Sequence, residues 1–445
     1  MRAADRVPEL FSPGALVGAM LRFEAALARA EARAGVIPAP AAEAIAAACR
    51  PEAFDPAAVW REGEVAGTPA IPLVRLLTEL VAPEVRGWVH LGATSQDAMD
   101  TAMVVQSRAA LDALVGELRG LAGGCAGLAQ RYAAAPAPGR TLLQHAVPVT
   151  FGLKAARWLT VVSRRSRSLA RLRDGLPLQF GGAAGTLAQL GADGTRVAAL
   201  LGEELGLPVP ELPWHAERDR IAELGAALGI TAGAMTKIAG DIVLLAQTEV
   251  GEVAEGHDEG AGASSAMPQK RNPVRAVAAV AAARLALGSV TVLLHAGGQE
   301  HERAAGAWQA EWEALPEAFG HTARAVAAVG SSVEGLRVDE DRMQRNLGAA
   351  GGAIMAEALV TALIPSLGRD VAYALVGEVT ARLARDGADL VDVAVKDDRV
   401  LGALGEDGIR RALDPAAYLG SAEALVRRAI EESRDVVEGG GRTSG

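Results

Sequence analysis

The segment VVQSRAALDALVGELRGLAGGCAGLAQRY, residues 104–132, carries the strongest helical pattern of the chain. Its apolar residues recur at steps of three, four or seven, at Val104, Leu111, Leu114, Leu118, Leu121, Cys125, Leu128 and Tyr132. This heptad spacing places one apolar stripe along a helix, and such a stripe is buried against other helices. A helix of roughly 30 residues is about 45 Å long, which is unusual for a single globular domain. The segment therefore predicts a bundle of long helices.

The same rhythm returns at residues 221–245, and further helical runs are predicted at residues 150–174, 273–295 and 308–329. Aromatic residues are only 3% of the chain and alanine is abundant, which favours close-packed helices over a β-sandwich or barrel. We therefore expect an all-α fold with a central bundle of five long helices. Such helices present more apolar surface than one chain can cover, so we also predict a homo-oligomer.

We expect three domains, namely an N-terminal helical domain, a central long-helix bundle and a small C-terminal helical domain, at residues 1–100, 101–346 and 347–445. In the first domain, Ser12 before Pro13 predicts the start of a helix and Gly35 predicts its end. The glycine-rich tail at residues 438–445 is expected to be disordered.

Charge and composition exclude several classes of protein. With 44 Lys and Arg against 54 Asp and Glu, the net charge is −10, so we expect no nucleic-acid partner and no acidic membrane surface. Cys49 and Cys125 are too few for a disulfide framework, which indicates a reducing, cytoplasmic compartment. The first ten residues do not resemble a signal peptide, and Arg284 interrupts the apolar residues 274–298, so we expect no membrane span.

Four polar or glycine-rich segments interrupt the predicted helices, namely HLGATSQD at residues 90–97, GRTLLQHAVP at 139–148, the loop at 256–273, and QEHER at 299–303. The hydroxyls of the first segment could cap the following helix, or could bind a carboxylate together with free backbone N–H groups. The histidine of the second, expected in a non-periodic turn, could be a core residue or a catalytic one. A loop as long as the third is usually functional or disordered. The fourth could be a solvated charged turn.

The sequence SSAMPQKRNP at residues 264–273 resembles the signature SSxMPxKxNP of the fumarase/aspartase superfamily. The other segments fall where that superfamily has its further active-site regions, and the resemblance covers nearly the whole chain. HLGATSQDAMDT, GRTLLQHAVPVTFGLKAA and QFGGAAGTLA are most similar to the bacterial 3-carboxy-cis,cis-muconate cycloisomerases. The resemblance implies a homotetramer with a twenty-helix core, active sites built from three subunits, no metal and no organic cofactor.

The resemblance also assigns roles by position. Ser265 would be the base that exchanges a proton on the carbon next to a carboxylate, helped by the charge of Lys270. Lys270 and Asn272 would hold that carboxylate where negative charge accumulates in the intermediate. Further carboxylate oxygens would be bound by Thr94, Ser95, Thr141 and Gln144.

Leu142 departs from the pattern of fumarases and adenylosuccinate lyases, which have a histidine here that serves as acid or base. An acid is needed to expel hydroxide or an amide-like nitrogen, but not a carboxylate, whose conjugate acid has a pKa of about 4. In lactone formation the nucleophile is the substrate's own ionised carboxylate. Leu142 therefore argues against those two activities and fits cycloisomerisation.

Three further residues are candidates for the site. His145 could contact a carboxylate or relay a proton in catalysis, and His90 matches a histidine that precedes the Thr-Ser pair in related lyases. Arg303 is a candidate clamp for a third carboxylate, because a guanidinium group pairs bidentately with a carboxylate. Alternatively, Arg303 forms a structural ion pair with Glu300 or Glu302.

We therefore expect an intramolecular lyase that interconverts 3-carboxy-cis,cis-muconate and 4-carboxymuconolactone, in protocatechuate breakdown through the β-ketoadipate route. The alternative is a superfamily lyase that eliminates a good anionic leaving group, such as nitrite, from a substituted succinate to give fumarate. A catalytically inactive homologue is a third hypothesis, but intact Ser265, Lys270 and Asn272 count against it. The expected partners are a small tricarboxylate or dicarboxylate substrate and further copies of this chain.

Overall fold

The computed structural model describes residues 2–256 and 262–439. Of the described residues 72% are helical, and they form 18 α-helices, a few short 3₁₀ helices and two small two-stranded antiparallel sheets. The prediction of an all-α fold is confirmed.

The α-helices are, in chain order, α1 (Ala3–Leu10), α2 (Pro13–Ala34), α3 (Ala39–Ala48), α4 (Pro56–Ala66), α5 (Ala70–Leu80), α6 (Ser95–Arg131), α7 (Phe151–Gly175), α8 (Gly194–Leu205), α9 (Asp219–Ala246), α10 (Val274–His295), α11 (Ala307–Glu334), α12 (Glu340–Leu347), α13 (Ala356–Leu367), α14 (Arg369–Asp386), α15 (Leu390–Val395), α16 (Asp398–Ala412), α17 (Ala422–Glu432) and α18 (Arg434–Gly439). The strands are β1 (Pro136–Thr141), β2 (Gln144–Thr150), β3 (Val253–Glu255) and β4 (Leu336–Val338). Short 3₁₀ helices lie at Pro51–Ala53, Arg86–Trp88, Ala188–Asp193, Ala349–Met355 and Pro415–Ala417.

The five long helices follow the sequence pattern closely. Helices α7 and α10 begin one residue after their predicted starts, and α11 continues five residues beyond its predicted end. Helix α6 is longer than expected, with 37 residues, and its heptad positions from Leu111 to Cys125 are buried. The N-terminal helix α2 is also confirmed, because Ser12 Oγ accepts the N–H of Ala15 at 3.3 Å and Gly35 closes the helix at a φ of 77°.

The chain forms two compact units, each made of three separate stretches. The first contains the residues up to Glu117, Arg165–Thr236 and Ala279–Ala327, and the second contains Leu118–Arg164, Lys237–Ala278 and the residues from Ala328 onwards. All five long helices pass from one unit into the other. The domain boundaries expected at residues 100 and 346 stay a prediction.

The C-terminal helices of the second unit have an apolar core of their own. Helices α13 to α16 bury Leu359, Leu363, Val379 and Ile409 in one cluster. The last helix, α18, continues to Gly439, two residues into the tail that the sequence predicts to be disordered. Residues 440–445 lie outside the described residues.

By length and composition alone, three helical stretches of the described residues are apolar enough to cross a membrane, namely Asp219–Ala246, Val274–His295 and Ala349–Leu367. In the second of these, α10, the side chains of Val277, Leu285 and Leu294 are exposed. Arg284 lies in the middle of the same helix, where a charge disfavours a lipid environment. These exposed apolar residues therefore favour another protein surface as their cover.

Candidate active site

The buried carboxylate of Asp97 organises the first polar segment. Its Oδ1 accepts the N–H of Gly181 at 2.9 Å and lies 2.7 Å from Nε2 of the buried His215, and its Oδ2 accepts the N–H of Gly182 at 2.8 Å. A buried carboxylate is stable only when its oxygens are well hydrogen-bonded. Within the first unit, this side chain therefore fixes the start of α6 against the glycine-rich stretch at residues 181–185 and the His215 segment.

Asp97 also closes the N-terminus of α6. Its Oδ2 accepts the backbone N–H of Thr94 at 3.0 Å, as in a capping box. The hydroxyls of Thr94 and Ser95 make no hydrogen bond within the described residues, and both side chains are half-buried. The alternative in which these hydroxyls cap the helix is therefore not realised. Both can bind a ligand at a helix end that favours an anion.

Arg303 lies against the same segment. Its Nε donates to Gln96 Oε1 at 2.9 Å, and its Nη2 donates to a backbone carbonyl oxygen of the glycine-rich stretch at 3.2 Å. Because Gln96 follows Ser95 in α6, the guanidinium group is held beside the predicted carboxylate-binding hydroxyls. Within the described residues Arg303 forms no ion pair with Glu300 or Glu302, and Glu300 accepts the backbone N–H of Ala305 instead.

His90 is paired with an acid from helix α2. Its Nδ1 lies 2.6 Å from Oε1 of the buried Glu24. Burial opposes protonation, but the charge of Glu24 and this hydrogen bond raise the pKa of His90. Glu24 therefore orients the ring and favours the imidazolium, which suits the predicted role of His90 in binding an anionic substrate.

The second segment forms a β-hairpin, so the prediction of a non-periodic turn is wrong. Strands β1 and β2 pair with Thr141 opposite Gln144, and Leu142 and Leu143 form the turn between them. Both leucines have positive φ, 51° and 65°, as in a type I′ turn, although this conformation costs a leucine roughly 1–2 kcal/mol. Their side chains are 97% and 72% exposed. The hairpin therefore presents a strained apolar tip between two polar candidates.

Arg140 anchors this hairpin to the rest of the second unit. Its Nη1 and Nη2 donate to the carboxylate of the buried Glu252 at 3.0 and 2.6 Å, and Asn346 donates to the same carboxylate at 2.8 Å. His145, opposite Arg140 in the register, is exposed, so it is not a core residue. Desolvation and the charge of Arg140 lower the pKa of His145. Its neutral imidazole can therefore accept a proton.

The signature loop uses its two serines differently. Ser264 Oγ accepts the N–H groups of Ala266 at 3.3 Å and Met267 at 3.1 Å, which shapes the loop. Ser265 is exposed, and its hydroxyl makes no hydrogen bond in the part of the chain that the structure describes. The ammonium group of Lys270 is exposed in the same way. The two predicted catalytic groups of the loop are therefore available to a ligand.

Hydrogen bonds hold both ends of this loop. The backbone N–H and Nδ2 of Asn272 donate to the carbonyl oxygen of Gly262 at 2.9 and 3.1 Å. Glu255 accepts two N–H groups in the first turn of α10 at 3.0 and 2.8 Å, and the hydroxyl of Ser332 at 2.6 Å. Asn272, predicted to bind substrate, therefore also shapes the loop. Residues 257–261 of the loop lie outside the described residues.

The candidate residues divide between the two units. The first unit contains His90, Thr94, Ser95 and Arg303, and the second contains Thr141, Gln144, His145, Ser265, Lys270 and Asn272. In the first unit Arg303 lies at the Thr-Ser segment, and in the second Thr141 pairs with Gln144. Within the described ranges, no group of three or more His, Cys, Asp or Glu side chains could hold a metal ion.

Sequence reasoning did not predict the contacts by which Asp97, His215 and Glu24 position these segments. A signal for Asp97 was the run of glycines at residues 181–185, because free N–H groups in a buried turn need an acceptor. The signal for Glu24 was an acid beside Phe23 on the apolar face of the first long predicted helix.

Comparison with known proteins gives consistent matches over most of the chain. A family model described as Lyase matches residues 2–288, and a model of the adenylosuccinate lyase C-terminus matches residues 352–429. The 3-carboxy-cis,cis-muconate cycloisomerase of Pseudomonas aeruginosa is 49% identical over 427 residues, 95% of this chain and 93% of the relative. The nitrosuccinate lyase of Streptomyces davaonensis is 41% identical over 97% of this chain and 93% of its own. The structure of the 3-carboxy-cis,cis-muconate lactonizing enzyme of Pseudomonas putida aligns with a TM-score of 0.92 at 44% identity and covers 97% of both chains.

We predict that Asp97→Asn lowers the melting temperature by at least about 5 °C, because an amide cannot accept all the donors that the carboxylate holds. Scanning calorimetry of the purified protein measures the shift. Asp112→Asn is the matched control, since Asp112 is exposed and pairs with Arg173 at the surface, and its shift should stay under about 2 °C. Equal shifts in the two variants would contradict the role assigned to Asp97.

Proposed function

This chain belongs to the lyase family of the fumarase/aspartase superfamily, and from that membership we propose that it interconverts 3-carboxy-cis,cis-muconate and 4-carboxymuconolactone. Relatives named for this substrate at 44–49% identity support the proposal. The main structural support for this function is Leu142, at the tip of the β1–β2 hairpin.

Leu142 restricts the chemistry to leaving groups that need no acid. Its hydrocarbon side chain cannot move a proton, and the positive φ of the turn holds it at the tip between Thr141 and Gln144. Hydroxide and amide-like nitrogen are strong bases and leave only with a proton, whereas a carboxylate has a conjugate acid with a pKa of about 4. The hairpin therefore suits a reaction in which a carboxylate adds or leaves.

In the lactonising direction, an oxygen of one substrate carboxylate attacks the conjugated diene and forms the C–O bond of the lactone. The electron pair of the attacked double bond moves toward a neighbouring carboxylate, which gives an enediolate-like intermediate. A proton delivered by Ser265 to the carbon next to that carboxylate completes the addition. In reverse, Ser265 removes the proton and the carboxylate leaves. The free hydroxyl of Ser265 and the exposed charge of Lys270 support these roles.

Arg303 is proposed to bind the third carboxylate of this substrate. Gln96 and a backbone carbonyl oxygen orient its Nε and Nη2, while Nη1 makes no hydrogen bond within the described residues. A guanidinium group oriented beside free hydroxyls is suited to a carboxylate. Thr94 and Ser95 are proposed to bind a carboxylate on the same side, with His90 as a further positive charge.

A second candidate is the elimination of nitrite from a substituted succinate to give fumarate. The relative named nitrosuccinate lyase favours this reaction, and nitrite also leaves without an acid. The two reactions differ in the number of carboxylates that the site must hold, so Arg303 separates them.

We further propose a cytoplasmic homotetramer in which several subunits build each active site. The exposed apolar side chains of α10 need a protein cover, and the tip leucines are exposed as well. Five predicted site residues of the hairpin and the loop are exposed as well, namely Thr141, Gln144, His145, Ser265 and Lys270. Association of several copies would bury the apolar groups and bring the polar ones together.

We expect Ser265→Ala to reduce turnover about 10²–10⁴-fold, the range for removal of a general acid or base, with the oligomer intact. The assay follows the ultraviolet band of 3-carboxymuconate, made in situ from protocatechuate by its dioxygenase, because lactone closure destroys the diene. Ser421→Ala is the control, since Ser421 is an exposed serine whose side chain makes no cap. A wild-type protein that leaves the band unchanged but releases fumarate from nitrosuccinate would replace this function with the second candidate.

Arg303→Gln should lower kcat/KM for the tricarboxylate about 10–100-fold, because one charge-assisted carboxylate contact is lost. Steady-state kinetics in the same assay measure the change. Arg410→Gln removes an exposed arginine that pairs with Glu406 one helical turn away and should leave kcat/KM unchanged. Unchanged kinetics in the Arg303 variant would refute its assignment to the third carboxylate.

Mixing the two defective variants tests whether subunits share active sites. If Arg303 and Ser265 of one site come from different subunits, random reassembly of Arg303→Gln with Ser265→Ala restores about a quarter of the wild-type activity. Native mass spectrometry verifies that mixed oligomers have formed. Mixed oligomers without recovered activity would show that both residues of a site come from one chain.

A further inference from the structure

A positively charged cavity lies beside the β1–β2 hairpin, within the second unit. Its volume is about 270 Å³, and Leu143 of the hairpin tip contributes to its wall. The charged residues that line it are Arg140 of the hairpin, Lys154 and Arg157 of α7, and Lys237 and Asp241 of α9. None of these five has a role in the proposed lactonisation. The cavity is large enough for a small organic or inorganic anion.

Two of the four cations are already neutralised by protein groups. The guanidinium group of Arg140 is occupied by Glu252, and Lys237 pairs with Asp241 one helical turn away. Asp241 also accepts the indole N–H of Trp158 at 2.8 Å. Both groups contact Oδ2 of Asp241, and this acid forms no ion pair with Lys154 or Arg157 within the described residues.

Lys154 and Arg157 remain without a partner. Neither side chain makes a hydrogen bond or an ion pair within residues 2–256 and 262–439. Lys154 is half-buried, and burial together with the charge of Arg140 lowers its pKa. Keeping an unpaired ammonium group in such a position costs free energy, which an anion in the cavity would recover.

The residue types are also informative. The chain has only four lysines among its 44 cationic residues, and two of these four line this cavity. An ammonium group is a compact point charge with three rotatable donors, which suits the oxygens of a small anion, whereas arginine suits a planar carboxylate. In a chain of net charge −10, only a local cluster of this kind can attract a dianion.

We propose that this cavity is a binding site for a small dianionic oxyanion, a dicarboxylate or phosphate, held by Lys154 and Arg157 and separate from the residues assigned to the substrate. An ion at this position contacts α7 and lies against the wall formed by Leu143. It therefore steadies the hairpin that presents Thr141 and Gln144. The proposal concerns binding alone and stands whether or not the lactone is the product.

The test is isothermal titration of inorganic phosphate, and separately of succinate, into the intact oligomer. We expect Lys154→Met to weaken the binding of at least one of these anions about 10-fold or more, because a charge-assisted contact is lost. Lys396→Met, which removes an exposed lysine in the turn between α15 and α16, should leave Kd within about 2-fold. The anion with the lower Kd for the wild-type protein shows whether the site prefers a phosphate or a dicarboxylate.

Two results of these titrations would overturn the proposal. Binding that survives Lys154→Met but is lost in Arg303→Gln places the anion at the substrate site and overturns the proposal. Absence of binding of both anions to the wild type overturns it as well.

A second measurement uses the wild-type protein and does not depend on a variant that folds. With four lysines, reductive methylation followed by peptide mass spectrometry reports on each one separately. Saturating phosphate or succinate should slow the methylation of Lys154 at least about 5-fold and leave Lys396 unchanged. Equal rates at Lys154 with and without both anions would reject the site.

Discussion

The buried carboxylate of Asp97 is the interaction on which the first part of the site depends. Two glycine N–H groups, the N–H of Thr94 and the ring of His215 converge on its two oxygens. A charge in the interior is tolerated only with such complete hydrogen bonding, so its partners are fixed together. Because the carboxylate also closes helix α6, the hydroxyls of Thr94 and Ser95 are left for a ligand. The Asp97 carboxylate thus both holds this segment rigid and leaves its two hydroxyls free to bind a ligand.

In the other two segments as well, the residues that hold the backbone in place differ from most of the candidate functional residues. In the signature loop, Ser264 takes up backbone N–H groups and leaves Ser265 free. In the hairpin, Arg140 is bound to Glu252 while Thr141 and Gln144 stand exposed at the tip. A neighbouring side chain thus satisfies the backbone or holds the element in place, and the side chains of Ser265, Thr141 and Gln144 carry no hydrogen bond within the described residues. Asn272 is the exception, because its amide group also shapes the loop.

The protein also has to attract anions although its net charge is −10. The cations proposed for this role have few protein partners and lie in separate places, Arg303 beside α6, Lys270 in the loop and Lys154 at the cavity. His90 is a further cation of this kind, because the Glu24 carboxylate favours its charged form. Local placement of charge, rather than the overall balance, thus determines which ligands the protein can hold.

The sequence by itself determined the helices and the limits of the chemistry. Helix spacing and caps are local, so α7 and α10 begin within one residue of their predicted starts, and a leucine at position 142 cannot move a proton in any fold. Only the tertiary structure decided that the second segment is a hairpin, because two leucines carry no turn signal. It also decided the partners of Asp97 and of Arg303. Gln96 is 207 residues from Arg303, and contacts at such separation leave no periodic pattern in the sequence, since they depend on how distant elements pack.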